Sequence, residues 1–215
     1  MISGLITYDI AERPTNATAV EGRHSAPSFL MGSIGAGKPR AADDTELPRY
    51  LRPWSLLLHP HEASLGLALA LALLVNNAQG GADDDVAVSA VLSVINRIFS
   101  ALDLRDETEV AVHTLMLVER LIRLQPSAFS LSTLQSVVLG AVIVSHKFNI
   151  DEELRMDDAT KNLRQFGFAA LTPRDLCWAE ASFLQALRFD ITVRRRAYAA
   201  YVFEMRALVN AHSSG

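Results

Sequence analysis

The chain has 215 residues, of which half are hydrophobic and a fifth charged, and its formal net charge is −4. That is enough apolar material for one large domain with a core, and the acidic balance gives no general pull toward nucleic acid. The single cysteine, Cys177, excludes an internal disulfide and suits a reducing compartment.

The start, MISGLITYDIAERP, lacks the basic residues and long apolar stretch of a signal peptide. The chain therefore reads as soluble, with the cytoplasm, the nucleus or both as its expected place, and the sequon at Asn16 as idle. Residues 1–45 are rich in Gly, Pro, Ala, Ser and Thr without sustained periodicity, which predicts a flexible tail. Residues 32–39 of that tail, GSIGAGKP, carry the G-x-x-x-x-G-K frame of a phosphate-binding loop. Pro39 stands where a Ser or Thr hydroxyl would bind magnesium, and it biases Lys38 away from helical geometry. No apolar strand precedes Gly32 and no periodic helix follows, so the stretch reads as a linker. An unrelated helical enzyme using this loop is the reading that a shift in melting temperature with ATP and magnesium would revive.

Residues 46–62, ELPRYLRPWSLLLHPHE, are broken by proline and carry bulky anchors at Tyr50 and Trp54, as expected of an extended docking segment. His59, His61 and Glu62 offer metal-ligand atoms, but no second ligand cluster accompanies them, so a loop or partner surface is the expectation and no metal is. From Ala63 onward the pattern is helical, with no alternating strand and no repeat. A first helix is predicted over Glu62–Asn76; its apolar run, Leu65–Val75, is about half the length of a membrane span, so no span is expected. A second covers Asp84–Leu102, with acidic residues at its start. A third covers Thr108–Leu124 and presents Val110, Leu115, Val118, Leu121 and Ile122 as one broad stripe.

The fourth, Ser132–Phe148, has Ser132 and Gln135 at capping-box spacing. Its run VVLGAVIV, residues 137–144, is apolar all round, which places it inside a ring of amphipathic neighbours. A short polar helix over Met156–Phe166 ends at Gly167. The next, Pro173–Phe189, has Thr172 as cap, Pro173 at its first position and Asp175 completing a box. A seventh follows Thr192 and runs to about Asn210. Cys177 has no histidine partner at useful spacing and reads as a buried structural thiol. Arg194, Arg195 and Arg196 open a helix, where positive charge is unfavourable, and read as a solvated face or one that meets an acidic partner. Asp157 and Asp158 have nothing that frames them as an acid and base pair. No catalytic constellation and no cofactor site is expected.

The stretch from about Asp85 to Leu208 resembles the cyclin box, most closely the short single-box cyclins of the P, U and Y types and the phosphate-regulation cyclins. LVERL, residues 117–121, resembles the family's "YLDRL"; SHKF, residues 145–148, its "AKF"; DLCWAEASFLQALRF, residues 175–189, its "ELNxLExxFLxxLxF"; and YAAYVFEM its "FxxYxxxL". Where the family carries "NxxYAxVGG" this chain has the longer MDDATKNLRQFGFAAL. The resemblance implies an all-α, five-helix cyclin box over residues 84–210 with its third helix central. A docking segment and extra helix occupy 46–83, and residues 211–215 form a tail.

What the resemblance further implies is a regulatory subunit, not an enzyme, that binds a cyclin-dependent kinase and activates it. Lys147 matches the family's lysine at the end of the box's third helix and Glu180 the glutamate early in its fifth; in the family both reach the kinase backbone. Phe148, Phe189 and Ile191 match apolar positions that pack on the kinase. From charge alone, Lys147 suits a helix C-terminus anyway, Glu180 could simply pair with it inside the chain, and the aromatics could be core. A cyclin-fold adaptor that binds a transcription or signalling protein without activating a kinase is the alternative. An exposed kinase-facing patch also leaves self-association open to the kinase-free chain.

Overall fold

The computed structural model describes residues 58–79, 84–150 and 153–214. The expected tail, the GSIGAGKP stretch and the Tyr50 and Trp54 anchors lie outside the described residues. Within them the chain forms seven α-helices: α1 (Pro60–Gln79), α2 (Asp84–Ala101), α3 (Thr108–Leu124), α4 (Leu134–Asn149), α5 (Met156–Gln165), α6 (Pro173–Ala186) and α7 (Arg195–Ser213). A 3₁₀ turn at Pro126–Ala128 joins α3 to α4, and there is no strand among the described residues. None of these helices is long and apolar enough to cross a membrane.

The HPHE stretch is a helix start. Pro60 is the first residue of α1, and the His59 backbone N–H donates to Glu62 Oε2 at 3.0 Å, which satisfies a group the helix cannot pair internally. Among the described residues no cluster of three or more His, Cys, Asp or Glu is placed to hold a metal. The Thr172–Asp175 capping box forms in both directions, with Asp175 N–H donating to Thr172 Oγ1 at 3.2 Å and Thr172 N–H to Asp175 Oδ2 at 2.8 Å. These bonds to Thr172 hold the Asp175 carboxyl below the usual carboxylate range. The box expected at Ser132 and Gln135 does not form. Ser130 and Thr133 exchange bonds instead, Ser130 N–H to Thr133 Oγ1 at 2.9 Å and Thr133 N–H to Ser130 Oγ at 3.3 Å, which closes the turn before α4; Thr133, the α4 cap, makes no side-chain cap bond of its own. Gly167 ends the α5 segment at φ +92°, and a Cβ there would come within 2.6 Å of the Arg97 guanidinium. That guanidinium bonds the Phe166 carbonyl at 2.6 Å and lies over the Phe168 ring at 4.5 Å, tying α2 to the end of α5.

The core is wider than one central helix. In α4 the run Val137–His146 is buried without interruption, as its apolar sequence demands. Beside it, α3 is buried over the whole run Val110–Glu119, which corrects its reading as a one-striped helix. The difference lies in three polar residues. His113, Thr114 and Glu119 look like a wet face in sequence but are 1%, 0% and 0% exposed. Nor is α1 an accessory. Residues Leu67–Ala72 are all buried, and the helix packs on α2, α3 and α7. Its small residues allow close approach: a Cβ on Gly66 would sit 3.0 Å from Met205 Cβ on α7. The joint that matters for the site is α4 on α6. There a Cβ on Gly140 would meet Phe183 Cβ at 3.1 Å and the Ala179 carbonyl at 3.2 Å, so the two backbones nearly touch.

Candidate interaction surface where α4 crosses α6

Close packing of α4 on α6 brings together residues 33 positions apart. Lys147, in the last turn of α4, donates to both carboxylate oxygens of Glu180 on α6 at 2.8 Å each. The pair lies at the surface, with side-chain exposures of 40% for Lys147 and 19% for Glu180. The next residue along α4, Phe148, is half exposed. Its inner edge meets His113 of α3 in a T-shaped contact, ring centroids 4.7 Å apart.

His113 is the hub beneath this tip. Its Nδ1 accepts from Asn149 Nδ2 at 2.9 Å, and the same amide donates to the Ser145 carbonyl at 2.7 Å. Accepting at Nδ1 leaves the ring proton on Nε2, which makes no hydrogen bond of good geometry. Burial pushes the His113 pKa down to about 4; an interaction with the Ile191 backbone opposes the shift, and the nearby Arg120 charge adds to it. The ring is therefore neutral at physiological pH.

The second tip follows α6. Phe189 is 67% exposed, the most exposed large hydrophobic side chain among the described residues. The helix was expected to run through Phe189 but ends at Ala186, because Arg188 and Phe189 take left-handed conformations at φ 54° and 59°. Such a conformation costs a side-chain-bearing residue about 1–2 kcal/mol, and it turns Phe189 outward. Ile191 is half-buried, and its backbone meets the His113 ring. From α3, Arg120 holds this loop. Its guanidinium donates to the Asp190 carbonyl and, at 2.8 Å, to the Thr192 carbonyl, and it pairs with the Asp190 carboxylate at 3.2 Å.

Of the five residues singled out in the sequence, Lys147 and Phe148 lie in the last turn of α4, Glu180 in the middle of α6, and Phe189 and Ile191 in the loop after α6. Lys147 and Glu180 are in contact, Phe148 and Phe189 are exposed tips, and Ile191 is half-buried. His113, Asn149 and Arg120 were not singled out. The signal for two of them is the seven-residue spacing of His113 and Arg120, which puts both on one stripe of α3. Cys177 is exposed rather than buried, because the buried stripe of α6 runs through Leu176 and Phe183 and Cys177 is turned about 100° from it. Trp178 is also 44% exposed.

A second polar cluster sits between α3 and α7. Glu119 accepts from Arg123 and from the Tyr201 hydroxyl, and Arg123 also reaches that hydroxyl at 3.4 Å. Burial works against the charge on Arg123, but its bonds to Glu119 more than offset that, and its pKa is raised. Burial, then Glu119, pushes the Tyr201 hydroxyl far up. Glu204 lies close by with Oε2 buried and unbonded. Burial, then the Glu119 charge, raises its pKa to about 7. In this cluster Glu119 is sealed inside the chain, whereas Arg123 keeps 39% of its side chain exposed and Phe203, on α7 like Tyr201, is 53% exposed. No family model matches this chain, and no solved structure matches it significantly.

Proposed function

We propose that this chain is a single-box cyclin-type regulatory subunit that binds a cyclin-dependent kinase and activates it. The observation that supports this reading best is the meeting of Lys147 and Glu180 beside the exposed Phe148. The two charges sit in separate helices that resemble separate cyclin segments. On this reading the ammonium and the carboxylate present donors and acceptors to kinase backbone, and the two phenylalanines fill apolar pockets beside the kinase's mobile helix. An interface of this kind needs about 1,200–2,000 Å² of total buried surface, so the tips act as anchors within a wider contact.

Activation then follows from differential binding. The subunit binds the kinase conformation whose helix is turned inward, where the kinase's own Lys–Glu ion pair forms. Moving an equilibrium from 1:99 to 99:1 takes about 5.5 kcal/mol of preference. The subunit performs no chemistry itself.

One observation favours the adaptor reading. Lys147 and Glu180 already satisfy each other, so neither needs a kinase. Purification of the tagged chain from its native cells, with mass spectrometry of what accompanies it, separates the two. A cyclin-dependent kinase that accompanies wild type and is lost from the Lys147→Ala, Glu180→Ala variant supports the kinase reading. A transcription or signalling protein without kinase supports the adaptor.

A further inference from the structure

The two aromatic tips belong to different elements, yet both are fastened from the same stripe of α3. His113 underlies Phe148 of α4 and meets the Ile191 backbone. Arg120 lies two turns along α3, a rise of roughly 10 Å, and ties down Asp190 and Thr192 immediately after Phe189. The loop's own bonds alone do not fix it to the bundle: Phe189 N–H reaches the Leu184 carbonyl at 2.8 Å, Asp190 N–H the Leu187 carbonyl at 3.1 Å, and Thr192 N–H the Asp190 carboxylate at 3.2 Å. All three stay within the end of α6 and the loop. Arg120 supplies bonds to a separate element, and its fork suits two carbonyls and a carboxylate at once.

Two consecutive left-handed residues that carry side chains need such support, and backbone strain of this kind collects where a side chain must be aimed. The side chain aimed here is Phe189, 67% exposed and of no evident use to the chain's own core.

We propose that Arg120, together with His113, is a positioning residue that holds the Phe148 and Phe189 tips as one preformed partner-facing surface. This rests on the kinase-binding reading for its partner, but the clasp itself is testable without one. Preforming the loop lowers the ordering cost on binding, so loosening it weakens affinity without removing any contacting group.

Amide hydrogen exchange of Arg120→Met and Arg120→Lys is compared with wild type, alongside binding to a panel of purified cyclin-dependent kinases. In Arg120→Met, exchange at Phe189, Asp190 and Thr192 is expected to quicken at least tenfold, with α4 amides unchanged. In Arg120→Lys, which keeps the charge and part of the bonding, the quickening is smaller, and this variant decides the matter if the methionine one fails to fold. Kinase affinity falls in Arg120→Met about as far as in Phe189→Ala, and the double variant is no weaker than Phe189→Ala alone. Unchanged exchange, or additive losses in the double variant, overturns the inference. Quickened exchange in a chain whose wild type binds no kinase identifies the kinase reading as the failed part and removes the partner role from the clasp with it.

Discussion

Two arrangements of acid and base flank the core, and burial of the acid separates their meaning: Arg123 and Lys147 are exposed alike at 39% and 40%, but Glu119 is at 0% and Glu180 at 19%. Between α3 and α7, Glu119 is fully buried and is answered by Arg123 and the Tyr201 hydroxyl. Where the end of α4 crosses the middle of α6, Lys147 and Glu180 make bonds of ordinary length at the surface, beside an exposed phenylalanine. The first cluster cannot be opened without leaving a charge in an apolar interior. The second sits where water screens it and contributes little to folding. A polar pair that the fold does not need, placed among exposed apolar tips, is the better candidate for recognition; one that the fold does need is the better candidate for structure.

The largest expected effect breaks the buried side of this comparison. Arg123→Ala strands Glu119 and is expected to cost about 3 kcal/mol, read as a lowered denaturation midpoint with unchanged slope. A loss below about 1 kcal/mol, the level of an exposed pair, would show that the cluster behaves like a surface one.

Next in size are two pH effects of opposite sign. Glu204 has its folded pKa raised from 4.5 to about 7, so its neutral form favours the fold; stability from this group is full below pH 4.5 and is lost as pH rises to about 7. His113 has its folded pKa lowered from 6.5 to about 4, so its contribution is full above pH 6.5 and is lost as pH falls toward 4. Across the shared window the two slopes oppose in wild type. Glu204→Gln is expected to leave stability rising with pH there, and His113→Gln to leave it falling, in urea titrations at stepped pH. Identical profiles for both variants would contradict the assigned environments. The smallest effect sharpens the surface side: Lys147→Ala is expected to change stability by less than about 1 kcal/mol.

How much of this was legible in the sequence depended on whether the signal was local. The limits of α3, Thr108–Leu124, follow from its apolar period and the Pro126 stop, and the Thr172–Asp175 box and Gly167 are written in neighbouring residues. The α4 cap went astray because Ser130, Ser132 and Thr133 all carry usable hydroxyls within four residues, and only the turn geometry chooses among them. The end of α6 was hidden because no glycine marks Arg188 and Phe189 as left-handed; Arg120, far along the chain, holds that loop. Burial of α3 was hidden because Glu119 and His113 look solvated until Tyr201 and Asn149 reach them. Lys147 and Glu180 have no local relation at all. Their pairing inside the chain is what opposite charge alone allows, and the Gly140 crossing makes it in space.

On the proposed function, Lys147 and Glu180 face a kinase rather than only each other. The most direct test is the affinity of a purified cyclin-dependent kinase, one that co-purifies with the wild type, for the exchanged pair Lys147→Glu, Glu180→Lys. The exchange keeps an ion pair within the chain and reverses both charges toward any partner. The expected outcome is a folded protein with near wild-type melting temperature whose kinase affinity falls at least tenfold. Wild-type affinity in the exchanged protein would contradict it and leave the pair as an internal surface tie.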